Sequence, residues 1–433
     1  MRQVAGLIST YSSDEFGVCS ALFELGGMVV MHDASGCNST YTTHDETRWY
    51  DMDSMIYISA ISEMEAIMGD DQKLIDDLTE TALELKPAFI AVVGAPIPYM
   101  IGTDLEAIAA VVEENTRIPA FGLAANGMHN YLTGISMALT AVVDRFCRRE
   151  VPKARKLTVN IMGATPLDFS LNGSVDSMKA WIKAEGMEVG VCFAMGSTLE
   201  EIALSSSAHV NLVVSYGGIP PAKKMEELFG IPYVVGIPFG EQFSKHLAEL
   251  LKISCKTGES RVAYDLERQE ILGQQELLEG QQKQEPQEPL EEQQRQEPLE
   301  LLEAQQTQGS QKMLESEKNM NKTVVPEAQR LVMIGESVYS ASLAEAIKLE
   351  QGIQVQVLCP LETEKEFLRA GDLMTPEEDD LLDCVKHVRG IIADPLYRGI
   401  CPEGTAFYEL PHEAFSGRIY DKVNPNLIYK KMK

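Results

Sequence analysis

Short runs of consecutive apolar residues alternate along the chain with longer stretches in which apolar residues recur every three or four positions. Met28 to Met31 and Ala88-Phe89-Ile90-Ala91-Val92-Val93-Gly94 are apolar without interruption, the pattern of strands buried on both faces of a parallel sheet. Asp70 to Leu85 and Thr103 to Glu114 keep helical spacing, which predicts helices there, and Ile118 to Leu123 returns as a strand. Strand, helix and strand in that order predict βαβ winding.

The same alternation restarts twice. Lys156 to Gly163 predicts a strand, followed by a helix from Asn172 to Ala184 and strands near Val189 and at Val210 to Val214. Pro220-Pro221 then opens another helix, and Ile231 to Ile237 gives another strand, so the second unit repeats the first on a sheet expected to be smaller. A third unit follows: a strand at Arg330 to Ser337, a helix at Ser340 to Leu349, and strands at Ile353 to Leu358 and Gly390 to Asp394. The predicted fold class is α/β, with three doubly wound parallel-sheet, Rossmann-like domains around a cleft, at residues 1–152, 153–256 and 326–433.

Residues 257–325 predict a helical start and then a low-complexity insert. From Gln269 to Val324 the composition shifts to Gln, Glu, Leu and Pro, and Gln-Glu-Pro-Leu-Glu occurs at Gln287 to Glu291 and again at Gln296 to Glu300. Such a segment has too little apolar surface to offset the entropy of ordering it, so a disordered, mobile insert is expected. A coiled-coil arm is the alternative, and the prolines oppose a long one.

Composition narrows the function. With 433 residues, 45% hydrophobic and 24% charged, the chain can build several cores. Its 37 basic residues against 65 acidic ones give a formal net charge of -28, which repels a phosphate backbone and leaves no basic stripe, so no nucleic acid partner is expected. The apolar start of the chain is broken from Ser9 to Glu15, too soon for a signal or a span, and a cytoplasmic protein with no membrane partner is expected. Eight cysteines are scattered with no CxxC pair, so any metal centre must be assembled from distant segments or from two chains.

Candidate chemistry begins at His32-Asp33-Ala34-Ser35-Gly36-Cys37. A strand ending in a glycine turn that presents a thiol places sulfur at the carboxyl edge of a sheet, where open α/β folds bind ligands. There is no G-x-x-x-x-G-K-[ST] phosphate loop, so the chain is not expected to hydrolyse ATP itself, and no GxGxxG follows the first strand.

The Gly-Cys turn is followed in order by Ser62 to Leu74, Lys86 to Val93, Met162-Gly163-Ala164-Thr165-Pro166, Ile231 to Gly240, Val332 to Glu336 and Leu410 to Phe415. In content and order these segments resemble the nitrogenase component 1 superfamily, which includes molybdenum-iron protein subunits and the catalytic components of dark-operative protochlorophyllide reductase and of nickel-sirohydrochlorin reductive cyclase. The resemblance implies a [4Fe-4S] cluster shared between subunits, held by up to three thiolates per chain. One would precede the first helix, one sit at the Gly-Cys turn and one follow a later strand. Only Cys37 matches: Ser12 or Ser13 stands near the first position, and Gly94-Ala95-Pro96 at the last. Cys19, on the first helix, is a weaker second candidate against a plain packing role, and His32 and Gly36 are candidates for supporting the cluster.

The implied partners are a homologous component 1 subunit, in a heterodimer or homodimer, and an ATP-dependent iron protein. The implied reaction is reduction of a substrate in the interdomain cleft. Two alternatives remain open: a non-catalytic scaffold or carrier for a metal-cluster or tetrapyrrole precursor, and a cluster-free interaction subunit. A second metal or tetrapyrrole cofactor has no identified ligands; Cys192 and His412 are the nearest residue types to the family's. His44, Asp45, Glu46 and Arg48 form a polar run that either lines a pocket or interface or is a solvated loop.

Overall fold

The structure, a computed structural model, describes residues 6–8, 11–36, 46–49, 51–264, 330–417 and 424–430. The first unit contains α1 (Asp14–Leu22), β1 (Met28–Met31), β2 (Met55–Ile58), α2 (Glu63–Met68), α3 (Asp71–Leu85), β3 (Ile90–Val93), α4 (Pro96–Ile101), α5 (Leu105–Thr116), β4 (Ala120–Leu123) and α6 (Tyr131–Phe146). Its strands are all parallel, in the order β2-β1-β3-β4. Central β1 and β3 are buried along their whole length, which is why their sequences are uninterrupted apolar runs. Helices α1 and α6 touch backbone to backbone: a Cβ on Gly134 would lie 1.8 Å from the Asp14 carbonyl oxygen, so only glycine fits there.

The second unit runs through β5 (Thr158–Met162), α7 (Pro166–Phe169), α8 (Ser174–Ala184), β6 (Glu188–Cys192), α9 (Leu199–Ala203), β7 (Val210–Val213), α10 (Ile219–Phe229), β8 (Tyr233–Val235), α11 (Gln242–Thr257) and β9 (Arg261–Val262). Its parallel order is β6-β5-β7-β8-β9. With five strands against four it is not the smaller sheet, and β9 carries it past residue 256. The expected insert from Gln269 to Val324 lies outside the described residues.

The third unit has β10 (Leu331–Ile334), α12 (Ser337–Gln351), β11 (Val355–Cys359), β12 (Leu373–Met374), α13 (Glu378–Val385), β13 (Gly390–Ala393), β14 (Ala406–Glu409) and α14 (Glu413–Ser416), in the parallel order β12-β11-β10-β13-β14. The chain then returns to the second unit, where Ile428 bridges Phe239. One apolar core runs through all three sheets, and a separate cluster underlies the outer face of the first.

In each sheet the strand order reverses direction beside the first strand, between β1 and β3, β5 and β7, and β10 and β13. Crevices form at the carboxyl ends of such strand pairs because the flanking connections leave on opposite faces. Three of them organise the molecule.

Candidate functional site

Among the described residues the first crevice is open. His32 continues β1 by donating its backbone N–H to the Val93 carbonyl at 2.8 Å. Its ring Nδ1 lies 2.8 Å from Ser59 Oγ, and burial pushes its pKa down, against Asp71, Asp33 and Glu65 pulling it up, so the imidazole is neutral at pH 7. Asp33 folds back so that its Oδ1 accepts from Ala34 N at 2.8 Å. These bonds set a tight turn that leaves Ser35 and Gly36 exposed, and a Cβ built on Gly36 meets nothing within 4 Å. Cys37, like His44 and Asp45, lies outside the described residues; the turn that leads to it stands at the carboxyl edge of the sheet.

The flanking segments carry oxygen, not sulfur. Asp14 accepts from Asn126 N at 3.0 Å and Gly127 N at 2.8 Å, tying the start of α1 to the loop after β4. Glu15 beside it is pushed up to about 8, by burial first and by Asp14 second. Ser12 is buried, and Ser13 precedes α1 without a side-chain capping bond. Helices α2 and α4 stand together at this edge and expose Met64, Ile67, Met68, Tyr99 and Met100; α2 has no buried residue and is held by a Ser62–Glu65 capping box.

Cys19 sits elsewhere. It is fully buried in α1, and burial, with Glu15 and Glu46 nearby, raises its thiol well above the ordinary value. A thiol so reluctant to ionise is a poor metal ligand, which matches a packing role. Glu46 and Arg48 form neither a solvated loop nor a pocket wall. Arg48 is fully buried: Nε and Nη2 donate to Glu46 at 2.8 and 2.9 Å, and Nη1 donates to Glu24 at 2.9 Å and to the Ala194 carbonyl of the second unit at 2.9 Å. Glu24 also accepts from Gly196 N at 2.6 Å, so this pair clamps the first two units.

The other two crevices face each other and are closed. At the end of β10, Glu336 caps α12 by accepting from Val338 N at 3.1 Å and Tyr339 N at 2.6 Å, and it also accepts from Tyr216 N of the second unit at 2.9 Å. Burial, then Asp168, pushes its carboxyl up to about 7. At the end of β13, Asp394 accepts from Leu396 N, His412 N and Ser416 Oγ at 2.7–2.8 Å. Asp168 of α7 accepts from Tyr131 OH at 2.5 Å and lies 3.3 Å from His412 Nε2. Burial, the largest single influence, would lower the His412 pKa, but Asp168, Asp394 and Glu336 together make the net shift upward.

The one thiol considered for a second cofactor, Cys192, is sealed in the core, and so is Cys359, which the sequence did not single out. Cys192 is fully buried, its pKa pushed by burial up to about 12; Cys359, beside Glu336, is buried too and pushed higher, and its Sγ donates to the Leu361 carbonyl at 3.4 Å. Among the described residues no group of three His, Cys, Asp or Glu side chains is placed to hold a metal ion, and no helix is long and apolar enough to cross a membrane. A surface concavity of about 740 Å3 at the β4 edge, lined by Glu106, Glu113, Arg117 and Arg145, adjoins none of the crevices.

Sequence reasoning anticipated a turn after β1, which the structure shows as far as Gly36. It missed the buried carboxylates Glu336, Asp168 and Asp394; the signal available was a lone acid directly after an apolar strand, as in Ile334-Gly335-Glu336 and Ile392-Ala393-Asp394.

The chain is 27% identical over 200 residues to the nitrogenase iron-molybdenum cofactor biosynthesis protein NifE of Clostridium pasteurianum, covering 45% of this chain and 41% of that protein. It is 24% identical over 181 residues to a subunit of the light-independent protochlorophyllide reductase of Chloroflexus aurantiacus, covering 42% and 33%. The chain thus spans about two fifths or less of the length of these curated relatives. A solved structure, Nitrogenase Cp1 at pH 5, superposes with a TM-score of 0.55 at 16% identity over 89% of this chain and 72% of that one, which shows a shared fold. The family model described as nitrogenase component 1 type oxidoreductase matches residues 14–287, more than half the chain, and the protein belongs to that family.

Proposed function

We propose that this chain is a nitrogenase-like component 1 subunit that contributes one thiolate, Cys37, to a [4Fe-4S] cluster shared with a homologous subunit, and that a separate ATP-hydrolysing iron protein supplies its electrons. The observation that carries this reading is the exposed Ser35–Gly36 turn at the carboxyl edge of β1, which takes the chain out of the core just before Cys37. The turn itself is exposed, whereas Cys19, Cys192 and Cys359 are sealed in the core.

The donor set fits a shared cluster and not a private one. Every iron needs a ligand, and the segments where the family's other thiolates would stand offer Ser12, Ser13 and Gly94 to Pro96, so the remaining ligands come from the partner. When bound, the cluster supplies one-electron transfer. The chain's own residues position it: Ser59 fixes the His32 ring, burial keeps that ring neutral, and Gly36 lets the backbone approach closely.

A second reading, a non-catalytic scaffold or carrier for a cluster or tetrapyrrole precursor, is favoured by the likeness to NifE proteins. The test is anaerobic purification, alone and with a co-expressed homologous subunit, followed by iron and sulfide analysis and electron paramagnetic resonance. About four irons per cluster are expected in the complex and a near-complete loss in Cys37→Ser. A serine variant with a full, unchanged cluster, or a wild-type complex without iron, would end the proposal. Reduction of the cluster by the iron protein with ATP separates the electron-accepting reading from the scaffold.

A further inference from the structure

We infer that the junction of the three domains, as the described residues form it, is filled by the chain's own side chains and takes no cluster- or macrocycle-sized cofactor. This goes beyond the shared cluster at the first crevice and holds or fails independently of it.

The family resemblance puts a substrate or cofactor between the domains, and sheets of this winding bind ligands at crevices between strand ends. Here the crevices of the second and third sheets are plugged by each other. Tyr339 of α12 reaches into the second unit, its ring centroid 4.9 Å from that of Phe239 and 6.1 Å from that of Phe169. His412 stands 6.4 Å from Tyr339, 6.2 Å from Tyr131 of the first unit, and stacks on Phe415 at 4.5 Å. All six rings are buried. Ring centroids at these separations are in contact, leaving no gap between them for the roughly 300 Å3 or more that ligand pockets provide.

The acids at the strand ends are already partnered, while Thr165 Oγ1, Asp168 Oδ2, Ser215 Oγ and His412 Nδ1 are buried without a hydrogen bond. The start of α12 would be an anion site in an open crevice, but the Glu336 carboxylate already occupies its N–H groups and takes Tyr216 N besides. Asp394 does the same where β13 ends. In the second crevice the backbone itself closes the space: a Cβ on Gly163 would lie 2.8 Å from Gly218 N. The imidazole at the junction, His412, is held between Asp168 and the Phe415 ring. A large guest would have to displace buried rings from three domains.

The test uses the native full chain. Cys359, fully buried beside Glu336, reports on opening of the junction, and Cys255, partly exposed, is the internal reference. N-ethylmaleimide labelling followed by mass spectrometry should modify Cys359 at least about a hundredfold more slowly than Cys255, with the difference abolished in denaturant. Haemin and, separately, ferrous iron with sulfide are then offered to the native chain and to His412→Asn. Uptake of either should be the same in both. Labelling of Cys359 within about tenfold of Cys255, or a loss of more than about half of the bound iron or haemin in a folded His412→Asn variant, overturns the inference. Loss of iron in Cys37→Ser with no effect of His412→Asn leaves it standing.

Discussion

The carboxyl edge of the first sheet and those of the other two start from the same winding and end in opposite states. At β1 the strand is followed by a small, exposed turn, flanked by helices whose apolar side chains face outward. At β10 and β13 the strands are followed at once by buried carboxylates that accept from the backbone just beyond them, and Glu336 also bonds across the domain boundary to Tyr216 N. The difference lies in where the acid after the strand makes its bonds: Asp33, buried after β1, accepts from Ala34 N within its own turn, whereas Glu336, at the matching place after β10, also accepts from Tyr216 N of the second unit. A family fold with three potential ligand edges is reduced here to one, the edge proposed to meet a partner.

The largest expected effect falls on the clamp between the first two units. Arg48→Met takes the guanidinium away from Glu46 and Glu24, and breaking a buried ion pair costs about 3–5 kcal/mol. Calorimetry should show either a large fall in Tm or two separate transitions. A change within experimental error would mean that the clamp carries no stability.

Next comes a direct contrast between the two edges. Phe239→Ala removes a ring packed on Tyr339 at the junction, with an expected loss of about 3–5 kcal/mol. Met68→Ala removes a side chain of similar hydrophobicity at the open edge, where it is 72% exposed, and should stay within about 0.5 kcal/mol of wild type. Equal losses in urea unfolding would erase the distinction between a packed joint and a free surface.

The contrast was only half legible in the sequence. Central strands were visible because they are buried almost throughout: β1, β3 and β10 read as continuous apolar runs, and β5 and β7 are interrupted only by Thr158, Asn160 and Asn211. Outer strands β2, β12 and β14 were not: Met55–Ile58, Leu373–Met374 and Ala406–Glu409 are partly exposed, so their patterns break. The turn after β1 is local and could be seen. The junction could not, because Tyr131, Asp168, Glu336 and His412 are brought together only by packing across three domains, and each alone resembles an ordinary polar residue. Arg48 misled for the same reason: its partners Glu24 and Ala194 are distant in sequence, and a charge run without them reads as a loop.

Proton binding gives a finer test of the closed side. Glu336 titrates near 7 when folded, above the ordinary carboxylate range, so between those values the folded chain keeps a proton that the unfolded chain has released. Its contribution is present at low pH and is lost as pH rises through about 7. Glu15, raised to about 8, and His412, raised above 6.5, act with the same sign. The Tm should therefore fall between about pH 5.5 and about pH 8. Glu336→Gln, which does not titrate, should lower Tm at both ends, since an amide has one acceptor oxygen in place of two, and should also flatten the decline. An unchanged slope would remove Glu336 as a source of the pH dependence.

The smallest effect is the one that tests the open edge itself. Ser59 Oγ serves the His32 ring and the Asp33 N–H, at 2.8 and 3.2 Å. Ser59→Ala deletes these bonds in a region with solvent nearby, so the stability loss should be about 1 kcal/mol, well below that of Phe239→Ala. Its consequence for the proposed cluster should be larger than its consequence for the fold, because a freed His32 no longer fixes the turn before Cys37. A broadened cluster signal in electron paramagnetic resonance, with Tm nearly unchanged, is the expected combination. If Ser59→Ala instead destabilises the chain as much as a junction variant and leaves the signal sharp, the turn is part of the structural core and the open edge has been misassigned.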